Sequence, residues 1–224
     1  MALYNNKYRI ESARLAGYDY GSNGAYHITI CIKHRLHLFG DIVETDENPS
    51  YFQNENPTLS CDENPLIKYS KSLSNDIEIN KVGVPSTTDL GGVQPKTDFH
   101  PSLRATEIGN VAINNWLDIP NHYPFVLLDS FILMPNHLHG ILLICKEEEG
   151  EWKQNKFGGQ SQNIPSIIRG FKASVKQYAK RKNISFDWQE RYYDRIIRNQ
   201  QELINTRQYI SNNPANWKKD EYRS

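Results

Sequence analysis

Two histidines, one tyrosine and one asparagine carry the chemistry this sequence offers. His137-Leu138-His139 opens a strand-like segment. Period-two alternation sends both imidazoles out of one face and Leu138 into the core. Neutral imidazoles side by side can share one divalent cation. The plain alternative is a pair of polar side chains on a solvated face. Here the strand is apolar on both sides, so two histidines within it need partners. Tyr209 and Asn213 sit four residues apart on a predicted helix. They therefore share a face, about one turn apart. A phenol can act as a nucleophile, and the amide oxygen of Asn213 can complete a metal shell. Taken singly, Tyr209 reads as an ordinary helix aromatic and Asn213, before Pro214, as a helix ending.

A second set of residues suits a polyanion. Arg169, Lys172, Lys176 and Lys180 follow one another at steps of three, four and four, which makes one side of a predicted helix a phosphate track. Arg191, Arg195 and Arg198 follow, interleaved with Trp188, Tyr192 and Tyr193. Aromatics in such company can stack unpaired bases. The competing reading is a solvated helix face beside core aromatics.

These residues must be held by a scaffold. Residues 25–33 (AYHITICIK) alternate as a strand, with Tyr26, Ile28, Ile30 and Ile32 on one side and His27, Thr29 and Cys31 on the other. HLFGDIV follows as a turn and short return strand. Residues 101–118 read as a helix whose face carries Leu103, Ile108, Val111, Ala112, Trp116 and Leu117, stopped by Pro120 and Pro124. YPFVLLDSFILM and HLHGILLIC are two strands joined at Pro135-Asn136. A helix begins near Pro165 with Ile168, Phe171 and Val175 inward. A short strand covers 191–198, and a last helix runs from Gln200 to Asn212, ended by Pro214. That order predicts an α+β, ferredoxin-like split βαβ fold. It has an antiparallel sheet, helices on one face, and a C-terminal helix bearing Tyr209. The chain reads as one domain, 1–224, with a polar low-complexity insertion at about 45–100. In the insertion three octets open with Glu47, Glu55 and Glu63, each followed by Asn-Pro.

Composition narrows the function further. The 224 residues hold 38% hydrophobic side chains, enough for a core. The longest purely apolar run is Ile141 to Cys145, far below the ~20 residues of a membrane helix. The start of the chain lacks the apolar stretch of a signal peptide. Three widely spaced cysteines, Cys31, Cys61 and Cys145, form neither a zinc pattern nor a disulfide framework, which points to a reducing cytoplasm. The net charge of zero hides a segregation. Residues 41–100 carry 4 basic and 11 acidic side chains, residues 164–224 carry 13 and 6. A basic C-terminal quarter on a neutral protein favours a local anionic partner, nucleic acid first.

The strings Gly17-YDYGSNGAYHITICIKHRLHLFG, Phe131-ILMPNHLHGILLI, Pro165-SIIRGFKASVKQYAK, Trp188-QERYYDRIIRNQQEL and Arg207-QYISNNPANW resemble the HUH single-tyrosine transposases, and most of all their REP-associated branch. They span most of the chain outside 41–100, and Met-Pro-Asn-His-x-His-Gly and Tyr-Ile-x-x-Asn-Pro are the specific parts. The resemblance implies a nuclease and strand-transferase on single-stranded or hairpin DNA, in the cytoplasm and at the nucleoid of a bacterium. Tyr209 falls on the family's nucleophile, His137 and His139 on its metal-binding pair, and Asn213 on the polar position that helps hold Mg²⁺ or Mn²⁺. Helix 165–180 falls on DNA-contacting surface, without transfer of individual contacts. One tyrosine implies either a homodimer or reuse of the tyrosine. The insertion departs from the family pattern. A hairpin-binding protein of the same fold without turnover, and a phosphoesterase using water on the two histidines, are the alternatives.

Overall fold

The computed structural model describes residues 3–4, 7–8, 18–45, 51–52, 100–147, 162–220 and 222. Short strands β1 (Leu3–Tyr4) and β2 (Lys7–Tyr8) pair with each other. The main sheet is five-stranded and antiparallel, in the order β5-β7-β8-β3-β9. Its members are β3 (Gly24–Cys31), β5 (Tyr51–Phe52), β7 (Val126–Leu133), β8 (His137–Ile144) and β9 (Tyr193–Ile197). Helix α1 (Glu107–Leu117) lies between β3 and β7 in the chain, and α3 (Ile164–Arg181) between β8 and β9. With the edge addition of β5 set aside, this is the expected ferredoxin-like arrangement.

Alternation decides what each face meets. Tyr26, Ile28 and Ile30 of β3 and Leu138 and Leu142 of β8 are fully buried against α1 and α3. Ile108, Ala112 and Trp116 come down from α1, and Ile164, Ile167, Ile168, Phe171, Val175 and Ala179 from α3. Thr106 caps α1 by accepting from Gly109 N–H, and Asn163 with Ser166 forms a capping box at α3. Gly140 is required by this packing. A Cβ there would overlap Trp116 Cζ2 and stand 3.1 Å from Phe131 Cβ. The opposite face receives α4 (Gln200–Asn216), whose Leu203 and Ile210 join Ala25, Ile132, Met134, Ile141, Leu143 and Ile197.

Five expectations are corrected. Residues 101–105 are not helical: they belong to β6 (His100–Ala105), and the helix starts only after the Thr106 cap. The return strand after the turn, β4 (Gly40–Thr45), pairs with β6 and not with β3, which brings the ends of the intervening segment together. Pro120 does not merely stop a helix, since it lies in the first turn of the short α2 (Ile119–His122). Pro214 does not end α4, which runs on to Asn216. A proline in the last turn forfeits one backbone hydrogen bond, and this one is buried. Most of the insertion at about 45–100 lies outside the described residues. β5 is the part of it that joins the sheet, pairing Tyr51 with Ile132 and Phe52 with Phe131. Cys145 is disulfide-bonded, against the expectation of cysteines outside any disulfide framework. Cys31 is a buried thiol. Among the described residues no helix is long and apolar enough to cross a membrane.

Candidate functional site

The register of β3 against β8 places Thr29 opposite His139 and Cys31 opposite His137. Side chains of paired residues leave the same face, so His137, His139, Thr29 and His27 all point toward α4. The helix brings Tyr209 down on them. Its hydroxyl lies 3.3 Å from His139 Nε2, in the same chain. The rings of His137 and His139 are 4.6 Å apart, and His27 stacks on His139 at 5.4 Å and 30°.

Neighbouring hydrogen bonds fix which nitrogen of His137 is protonated. Asn136 is fully buried, and its Nδ2 donates to Arg35 O at 3.0 Å and Tyr222 O at 2.8 Å. Its Oδ1 is therefore the acceptor facing His137 Nδ1 at 2.8 Å, so Nδ1 carries the proton. His137 Nε2 is left with a lone pair, buried and without a hydrogen-bond partner. His139 Nδ1 is 2.8 Å from Thr29 Oγ1. With the phenol donating to Nε2, Nδ1–H donates to Thr29. Burial keeps all three rings neutral at pH 7. It pushes His137 down to about 3, with help from the Arg35 cation. It pushes His27 down to about 4, with help from Arg195. His139 is lowered by burial, and then by His137 and His27.

Asn213, one turn beyond Tyr209, is buried with its Nδ2 directed at Tyr209 O at 3.4 Å and its Oδ1 without a hydrogen-bond partner. Tyr209, Asn213, Lys219 and Asp220 line one cleft of about 500 Å³. Helix α4 is fixed in rotation by Arg207, two residues before the tyrosine. Its guanidinium makes a two-pronged pair with Asp129 on β7, where the strand's register shifts. Asp129 is 1% exposed, so this pair is a buried anchor.

Two buried lone pairs without partners, His137 Nε2 and Asn213 Oδ1, fit a divalent cation bound by nitrogen and oxygen. Left unmatched, each costs about 1–3 kcal/mol. Among the described residues no three His, Cys, Asp or Glu side chains form a ready ion site, so the set needs the amide. The His139 lone pair that receives the phenol is the one a cation would take. The two uses exclude each other.

The basic candidates divide. Arg169, Lys176 and Lys180 are exposed on α3, which packs on the other face of the sheet from the histidines. Lys176 pairs with Asp187 at 2.7 Å. Lys172 turns inward, donating to Gln189 O at 2.5 Å and lying over Trp188, and burial lowers it to about 8. Arg191 and Arg198 are exposed, and the N–H of Arg198 donates to Glu202 Oε2. Arg195 pairs in register with His27 and so shares the site's face. Tyr193, paired with Thr29, does too and is 53% exposed. Trp188 is a core residue packed among Phe39, Phe171 and Phe186, with Nε1 donating to Lys172 O, not a stacking platform. Sequence reasoning missed Asn136, read only as a turn residue, together with Thr29, His27, Arg207, Asp129 and Asp220. The alternation in β3 did put Thr29 and His27 on one face, but not which strand they would meet.

An uncharacterized protein of Haemophilus influenzae is 30% identical over 219 residues, an alignment that takes in 94% of this chain and 91% of that one. The chain belongs to that protein's family. No family model matches it. Among solved structures, a REP-associated tyrosine transposase bound to a REP hairpin is similar over 93% of this chain and 74% of its own, at 12% identity and a TM-score of 0.44. That likeness is too distant to carry a fold or a function.

Proposed function

We propose that the chain is a divalent-metal-dependent nuclease and strand-transferase of the transposase type, acting on single-stranded DNA beside hairpins. The observation that carries this is the Tyr209 hydroxyl 3.3 Å from His139 Nε2, on an exposed side chain, beside a second imidazole whose lone pair is buried without a hydrogen-bond partner.

His137, His139 and Asn213 would hold Mg²⁺ or Mn²⁺. The bound ion would withdraw charge from a scissile phosphate, which otherwise repels an oxygen nucleophile. The protein's residues do the rest. Asn136 and Thr29 hold the two imidazoles at their Nδ1 atoms, which would leave each Nε2 for the ion. The Arg207–Asp129 anchor holds α4 so that Tyr209 reaches the rings. The phenol oxygen forms the new bond to phosphorus and the bond to the 3′ oxygen breaks, giving a 5′-phosphotyrosine and a free 3′-hydroxyl. Overall, the proton lost by the phenol is matched by the one gained on that hydroxyl. The phosphoester bond is conserved, so rejoining needs no nucleotide. The site draws on one chain, so a homodimer is not needed to build it. The basic excess of residues 164–224, with Arg195 and Tyr193 on the site's face, would supply salt-dependent grip and base stacking.

The test is incubation with hairpin-bearing single-stranded DNA and Mn²⁺, followed by denaturing electrophoresis. A covalent protein–DNA adduct present in the wild type and absent in Tyr209→Phe supports the reading. Tight binding without any adduct marks a hairpin-binding protein without turnover. Cleavage that survives Tyr209→Phe marks a water-using phosphoesterase.

A further inference from the structure

The C-terminal segment after α4 delivers Asp220 to the histidines. Its side chain is 6% exposed, and its Oδ2 stands 3.9 Å from His137 Nε2. At that distance there is no hydrogen bond. There is also no ion pair of the usual kind, because the Asn136 amide holds the His137 proton on Nδ1. A carboxylate oxygen thus faces a nitrogen lone pair inside the protein. Both atoms are electron-pair donors, and one cation between them would be held by both. The other oxygen, Oδ1, accepts from Tyr222 N–H at 2.6 Å, which fixes the carboxylate's orientation. Asp220 also lines the same cleft as Tyr209 and Asn213.

We propose that Asp220 is a further protein ligand of the cation that His137 would hold. The inference rests on the metal-dependent reading above and adds a residue to it. The 3.9 Å between the two donor atoms is within the span that two ligands at ~2.0–2.1 Å from one ion can have. The consequence is chemical. With two imidazoles and an amide alone the donor set is neutral. Asp220 gives it one negative charge and a hard oxygen, which favours Mg²⁺ and Mn²⁺ over softer ions.

The experiment is Mn²⁺ titration of the full chain without DNA, by calorimetry and by the loss of the free-ion electron paramagnetic resonance signal. Wild type, D220N, D220A and H137A are compared. D220N keeps an oxygen to accept from Tyr222 N–H and removes the charge. The expected result is at least a tenfold weaker Mn²⁺ affinity in both Asp220 variants, with metal-free melting of D220N unchanged. Wild-type affinity in D220N, with loss only in D220A and H137A, would show that Asp220 merely caps the segment; the inference falls and the reading of the site survives. No Mn²⁺ binding by the wild type removes both.

Discussion

The two faces of one sheet are built from the same strands and do opposite work. On the α1–α3 face, β3 and β8 contribute Tyr26, Ile28, Ile30, Leu138 and Leu142, all fully buried among apolar neighbours. On the α4 face the intervening residues change character along the strand. Ala25, Ile141 and Leu143 sit under Leu203 and Ile210, while His137, His139 and Thr29 occupy the other end under Tyr209 and Asn213. The first face earns stability from each methylene it buries. The second leaves His137 Nε2 and Asn213 Oδ1 without hydrogen-bond partners in the protein. Under the proposed function a bound cation would match both atoms, and without it the rest of the molecule offsets their cost.

The sharpest way to break the comparison is at Tyr209. Tyr209→Phe should lower covalent adduct formation by ~10³-fold or more. Its stability should stay within ~0.5 kcal/mol of wild type, because the side chain is 45% exposed and its bond to His139 is long. A phenylalanine variant that still links to DNA would move the nucleophile elsewhere. Across the sheet the pattern inverts. Leu138→Ala, one residue from each histidine, should destabilise by about 3 kcal/mol through lost burial and a cavity. The Mn²⁺ affinity of the molecules that remain folded should be preserved. Urea unfolding and metal titration of one sample read both quantities. A large drop in affinity there would show that the faces are not separable.

Acid should act on one face only. His27 and His137 have folded values of about 4 and about 3, against 6.5 when unfolded. Between those limits the unfolded chain binds more protons, so stability falls as pH drops below 6.5. At pH 5.5 the two contribute a loss of roughly 1.4 kcal/mol each, and His139 adds in the same direction. Unfolding free energies at pH 7.5 and 5.5 should therefore differ by at least about 3 kcal/mol. Equal values would mean that these rings are not held neutral in the folded state.

Much of this was readable from residue types. Alternation in β3 and β8 sorted the faces, and the Pro135-Asn136 turn joined the right strands. Tyr209 and Asn213 stood four apart on a helix, as expected. What was lost was lost to pairing and to distance along the chain. Residues 101–105 have helix-compatible composition, and only β4 makes them a strand. The Arg207–Asp129 anchor spans 78 residues. Asp220 looks like any polar residue near a chain end until folding sets it against His137. Lys172 belongs by spacing to a phosphate track, yet nearby carbonyls draw it inward.

The smallest effect separates neighbours within the site's own face. His27 is half-buried, stacks on His139 and lies 6.0 Å from the Tyr209 ring, yet its Nε2 is buried without a hydrogen-bond partner. Nothing places that nitrogen among the cation's donors. His27→Leu keeps much of the volume and removes the unmatched polar atom. It should raise stability at pH 7.5 by about 1 kcal/mol. It should also remove about 1.4 kcal/mol of the loss at pH 5.5, with Mn²⁺ affinity unchanged. A leucine variant that is less stable, or that binds Mn²⁺ more weakly, would make His27 a working member of the site and extend the polar region by one more pair of the β3–β8 register.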